Sequence, residues 1–162
     1  MTDSSNRSPF VELVDIMARL RAPGGCPWDR EQDHATLKPY LLEETYEVLD
    51  AIDAGDDGEL CAELGDVLLQ VVFHAQVASE ADRFTVDDVC QAIVDKLIRR
   101  HPHVFGDTAV DGAGDVLRNW EQIKLEERCG APESPPSALD GVPRPMPALL
   151  RAQRLQEKAS RV

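Results

Sequence analysis

An all-α fold is what this 162-residue sequence predicts. Three observations carry the prediction. Apolar residues recur at three- and four-residue spacing in several separate segments, the two-residue alternation of a half-buried strand is missing, and the segments are separated by Gly- and Pro-containing stops. The length suits one domain with a real core and is too short for two independent ones. With 43% hydrophobic and 29% charged residues the composition is that of a folded chain. Aromatics make up only 5%, so Leu, Val, Ile and Ala must build the core. No internal repeat is visible.

Taken in order, Phe10, Leu13, Val14, Met17 and Leu20 define a first helix, with Pro9 suited to its first turn and APGGCP at 22–27 ending it. Asp29 and Glu31 read as helix-start residues. A second helix is expected from about Thr36 to Asp53 on Leu41, Val48 and Ile52, the DAGDDG stretch at 53–58 as a turn, and a third helix from about Glu59 to Ala81. Residues 67–79 of that helix hold no charged residue. A helix apolar all round is buried on every side, which makes it the central element of a bundle or an oligomer interface. Thr85 caps a fourth helix, with Asp87 and Asp88 in its first turn, that carries Val89, Ile93, Leu97 and Ile98 before HPH at 101–103 interrupts it. A fifth, around Val116 to Arg128, holds Leu117, Trp120 and Ile123. Residues 130–147 contain six prolines and read as an extended linker, after which ALLRAQRLQEKASRV begins a further helix.

Charge and cysteine usage narrow the function. Thirty acids against 17 bases give a formal net charge of −13, the wrong sign for a general nucleic-acid or anionic-membrane binder. The four cysteines, Cys26, Cys61, Cys90 and Cys129, form no CxxC pair, so neither a zinc ribbon nor a redox motif is written here. The N-terminus lacks a basic and apolar leader, and no apolar run approaches the ~20 residues of a membrane span. A cytoplasmic protein with reduced thiols is the expectation.

Two acidic clusters break the apolar pattern: EETYE at 43–47 and ELGD at 63–66. Glu44 and Glu47 are three apart, as are Glu63 and Asp66, so each pair shares one helical face with Cβ atoms about 5–6 Å apart. On one continuous helix, Glu47 and Glu63 would stand about 24 Å apart at 1.5 Å per residue. A hairpin changes that, because Gly55 is the midpoint of both 47/63 and 44/66. Folding about Gly55 sets Glu47 level with Glu63 and Glu44 level with Asp66. Charged helix residues usually belong to a solvated face. Here Glu44 lies on the stripe of Leu41, Val48 and Ala51, and Asp66 on that of Ala62, Leu69 and Phe73, where core residues belong. Several carboxylates buried together cost several kcal/mol unless cations compensate them. A donor set made only of oxygen favours a hard divalent ion, Mg²⁺ or Mn²⁺, over zinc. A di-iron site would need two Glu-x-x-His motifs on helices, and only Glu31 and His34 have that spacing, in an expected loop.

The two clusters, together with GCPWD (25–29), RRHPHVF (99–105), WEQIK (120–124) and SALDGVPRPMPALLRAQRLQ (137–156), resemble the MazG family of nucleoside triphosphate pyrophosphohydrolases, with EExxE and ExxD as its acidic pattern. The likeness runs over nearly the whole chain from about Phe10. It implies an antiparallel helical bundle, all-α and oligomeric, and hydrolysis of a nucleoside triphosphate substrate to monophosphate and pyrophosphate. It also implies that residues 1–129 are one MazG-like domain of two, with 130–162 leading toward the second. Carried over by motif position, Glu44, Glu47, Glu63 and Asp66 would hold the metal, and Glu43 and Glu47 would take part in catalysis, Glu43 by orienting water. Lys96, Arg99, Arg100 and Lys124 are the candidates for holding phosphate charge, against a plain role as exposed helix cations. His101 and His103 could touch phosphate or simply stop the helix, and Trp28 and Trp120 could stack a base or pack. A homodimer or higher homo-oligomer is expected. The alternative to an enzyme is a nucleotide-binding or oligomerising domain that serves a catalytic domain elsewhere.

Overall fold

The computed structural model describes residues 7–129 and 139–160, so residues 130–138 of the expected linker lie outside the described residues. The described residues form helices and no strands: α1 Pro9–Arg21, α2 Pro27–Glu31, α3 Lys38–Ala54, α4 Asp57–Ser79, α5 Val86–Arg100, α6 Pro102–Phe105, α7 Ala113–Cys129 and α8 Ala148–Ala159. They fall into two compact units, one ending at Asp95 and one starting at Lys96.

Local chemistry sets the boundaries in the first unit. After α1 the chain folds back so that the Cys26 N–H donates to the Leu20 carbonyl at 2.8 Å. This requires glycine at position 25, where a Cβ would stand 2.2 Å from the Leu20 oxygen. The same turn leads into α2, a short helix that apolar periodicity did not announce. Glu31 ends this helix and does not start one, whereas Asp29 sits in its first turn, where the positive end of the dipole favours it. Beyond it, the Asp33 carboxylate accepts from the N–H groups of Ala35 (2.7 Å) and Thr36 (2.8 Å). That turn occupies residues 33–36, so α3 begins two residues later than expected.

The turn between α3 and α4 is tighter than DAGDDG suggests. Gly55, at φ 68°, closes α3. Asp56 opens α4, its carboxylate accepting from the N–H groups of Gly58 (2.9 Å) and Glu59 (3.1 Å). Asp57 and Gly58 are therefore helical. The two helices pack against each other as an antiparallel hairpin, and α1 packs on α4.

The core of this unit is Met17, Leu37, Val72 and Phe73, with Phe10, Leu13, Val14, Leu20, Leu69, Val77 and Val86 packed around it. Arg21 fastens its rim. The guanidinium donates to both oxygens of Glu80 (2.8 and 2.7 Å), to the Gln32 carbonyl at 3.0 Å and to the Asp29 carbonyl, and it lies 5.5 Å from the centre of the Phe73 ring. Arg21 in turn holds the Glu80 carboxyl below its ordinary value.

Two expectations about α4 need correction. Residues 67–79 are not buried on every side within the chain: Gln70, Val72, Phe73, Ala75 and Ala78 are buried, while Leu68 and Val71 remain 39% and 38% exposed. Among the described residues, α1 and α3 pack on the helix. Also, at 23 residues α4 is long and apolar enough to cross a membrane, although no run of that length was expected. The core helix of a protein in water passes the same test, and this one packs on α1 and α3 with Glu59, Glu63 and Asp66 along it.

At the start of α5 the Asp88 carboxylate accepts from the Thr85 N–H at 2.8 Å while Thr85 Oγ1 accepts from the Asp88 N–H at 3.3 Å, a reciprocal cap. In the second unit His101 precedes α6, its Nδ1 donating to the Leu97 carbonyl at 2.7 Å, and its ring meets that of Trp120 at 5.3 Å.

Candidate metal centre

The hairpin about Gly55 and Asp56 brings the two acidic clusters together. One carboxylate oxygen each from Glu44, Glu63 and Asp66 lies within 4.8 Å of the others, and all three residues are half-buried. Glu47 is exposed, one helical turn after Glu44 on α3. Glu43 is exposed beside it.

Crowding of like charge shows in the titration of the group. Burial first, then Asp66, Glu47 and Glu43 beside it, push the Glu44 carboxyl above its ordinary value. Glu63 is pushed up by burial and then by Glu47, Glu59, Asp66 and Glu44. Every neighbour that shifts either group is an acid, so the group is short of positive charge. Three convergent oxygen donors with no nitrogen or sulfur among them fit a hard divalent cation.

Beside the cluster lies a cleft of about 330 Å³ lined by Glu47, Asp50, Ala51, Ala54, Asp56, Glu59 and Glu63. Asp50, Asp56 and Glu59 were not singled out from the sequence. The signal was available, since Asp50 is three residues after Glu47 and Glu59 four before Glu63, which puts both on the faces already chosen.

The basic candidates belong to the second unit. Glu127 takes both arginines: Arg99 Nη2 lies 2.8 Å from Glu127 Oε1 and Arg100 Nη2 2.5 Å from Oε2, and together they pull the Glu127 carboxyl down to about 2. Lys124 Nζ sits 4.6 Å from the centre of the Trp120 ring. Lys96 is exposed. Trp28, 48% exposed, meets Tyr40 edge-on at 5.6 Å. His103 Nδ1 and Trp120 Nε1 are buried and have no hydrogen-bond partner among the described residues. The Glu31/His34 spacing leads to no carboxylate–histidine site, because His34 pairs with His74.

Residues 32–105 match the model of the MazG nucleotide pyrophosphohydrolase domain. This chain carries a MazG domain. Both arms of the hairpin, all five acids of the two clusters and the Lys96–Arg100 stretch fall inside the MazG match, while Lys124 lies beyond it. The chain is 57% identical over 151 residues to a nucleoside triphosphate pyrophosphohydrolase of Escherichia coli, covering 93% of this chain and 57% of that protein. It is 52% identical over 153 residues to the nucleoside triphosphate pyrophosphohydrolase/pyrophosphatase MazG of Thermotoga maritima, covering 94% and 57%. The chain thus spans somewhat more than half the length of these MazG relatives.

Proposed function

We propose that this chain hydrolyses nucleoside triphosphates to the monophosphate and pyrophosphate, using Mg²⁺ or Mn²⁺ held by the α3–α4 hairpin. The observation that carries the proposal is the convergence of Glu44, Glu63 and Asp66 within 4.8 Å, inside the segment that matches the MazG domain. The names of the E. coli and T. maritima relatives support the substrate class.

In this reading Glu44, Glu63 and Asp66 are the ligands and Glu47 completes the set from the margin. A bound divalent ion supplies neutralisation of phosphate oxygens and a lowered pKa for its water. Glu43, exposed on the same helix, orients the attacking water. Lys96, Arg99, Arg100 and Lys124, in the second unit, remain the candidates for binding phosphate. Overall, water adds across the Pα–O–Pβ bridge and one P–O bond breaks.

Incubation with Mg²⁺ and a panel of nucleoside triphosphates, followed by chromatography, tests this reading. Equimolar monophosphate and pyrophosphate are expected. Diphosphate with orthophosphate would overturn it, as would no turnover; in the second case nucleotide binding alone would leave the domain a supporting one.

The exposed side of α4 belongs to the same proposal. Leu64, Leu68 and Val71 are 51%, 39% and 38% exposed, more apolar surface than one uncovered helix face usually shows to water. A second copy of the chain covers it in this reading. Sedimentation at micromolar concentration is expected to give a dimer or larger, and a 17.9 kDa species alone would contradict it.

A further inference from the structure

Away from the carboxylates, a chain of polar groups closes the opposite end of the α3–α4 hairpin. His34, in the loop before α3, and His74, on α4, meet edge to edge, with centroids 5.1 Å apart and ring planes 14° from parallel. Their Nδ1 atoms are 2.8 Å apart, and Arg83 Nη2 lies 2.7 Å from His34 Nε2.

The partners dictate the protons. A guanidinium only donates, so His34 Nε2 must be the acceptor and carry no proton. Neutral His34 then has its proton on Nδ1 and donates it to His74 Nδ1, which must be bare, leaving the His74 proton on Nε2. One proton fits between the two rings. A second, on either ring, sets N–H against N–H or N–H against the guanidinium.

We propose that His34, His74 and Arg83 form an acid-opened clasp that ties the loop 32–37 to α4. No residue of the clasp is among the acids at the proposed metal centre, and the inference does not depend on what the protein hydrolyses.

The other charges facing the clasp leave its sign unchanged. From the loop, the Asp33 carboxylate is committed to the Ala35 and Thr36 N–H groups. From α1, Arg21 is committed to Glu80, the acid just after α4. Burial, and then His34, hold His74 below the ordinary histidine value of 6.5. The unfolded chain therefore binds more protons than the folded one as pH falls below that value. Closure is complete above about 6.5 and is lost progressively below it. What opens is the approach to α3: Leu37, 1% exposed, anchors this loop in the core, and its N–H donates to the Asp33 carbonyl.

Two measurements on the intact chain test the clasp. Nitrogen-detected histidine NMR at pH 7.5 is expected to show the Nδ1–H tautomer for His34, the Nε2–H tautomer for His74, and a coupling between the two Nδ1 nuclei across the hydrogen bond. Both rings as Nε2–H tautomers, or either ring charged at that pH, would overturn the proposal. Hydrogen exchange of residues 33–38, corrected for intrinsic rates, is expected to lose protection about tenfold per pH unit for each proton taken up below the midpoint. His74→Phe keeps an aromatic ring at that position and removes the titration, so that dependence should vanish. Arg83→Met removes the cation opposing a second proton on the closed pair, so acid opening should weaken and move to lower pH. If His74→Phe fails to fold, the Arg83→Met shift still decides, and an unchanged midpoint in it would contradict the clasp.

Discussion

Glu63→Gln is expected to weaken Mg²⁺ binding by at least about 100-fold and nucleotide hydrolysis by about the same factor or more. Changing a residue that merely orients a metal ligand typically costs 10–100-fold, so replacing a ligand should reach the top of that range. The variant keeps the shape of the side chain and removes one of three charges packed within 4.8 Å. Without metal it should therefore melt at a higher temperature than the parent, because an unfavourable charge has gone. Calorimetric titration with Mg²⁺ and melting curves with and without EDTA check both parts. A variant that loses activity and melts lower without metal would mark Glu63 as a structural residue.

Phe73→Ala carries the largest expected effect on stability. The ring is 3% exposed in the core of the first unit, and truncating a buried phenylalanine costs about 3–5 kcal/mol. Losing the surface beneath the Arg21 guanidinium adds roughly 0.5–1 kcal/mol. Against a typical total of about 5–15 kcal/mol, this should leave the first unit marginal. Urea unfolding followed by circular dichroism measures it. Leu149→Ala, at a position 89% exposed, is the control and should shift stability by no more than about 0.5 kcal/mol.

The parts of the molecule legible in the sequence were those governed by local rules. Periodicity located the long helices, and the symmetry of 44/66 and 47/63 about Gly55 anticipated that the acids would meet, because a hairpin with a tight turn leaves little choice of register. Short-range capping was harder to read. Asp56 and the turn at residues 33–36 moved helix ends by two residues, and α2 is too short to show a period. The His34–His74 pair was invisible because it joins residues 40 apart and His74 sits in no ligand-like spacing. The commitment of Arg99 and Arg100 to Glu127, 28 and 27 positions away, escaped for the same reason. The partial burial of α4 could not be read from composition, since an apolar face looks the same whether or not its own chain covers it.

Location of a bound cation tests the central claim most directly. Crystals grown with Mn²⁺ and measured at an energy where manganese scatters anomalously should show a peak within bonding distance of carboxylate oxygens from Glu44, Glu63 and Asp66, between α3 and α4. A peak at another set of residues, or none there at millimolar Mn²⁺, would contradict the assignment of these carboxylates as the metal centre.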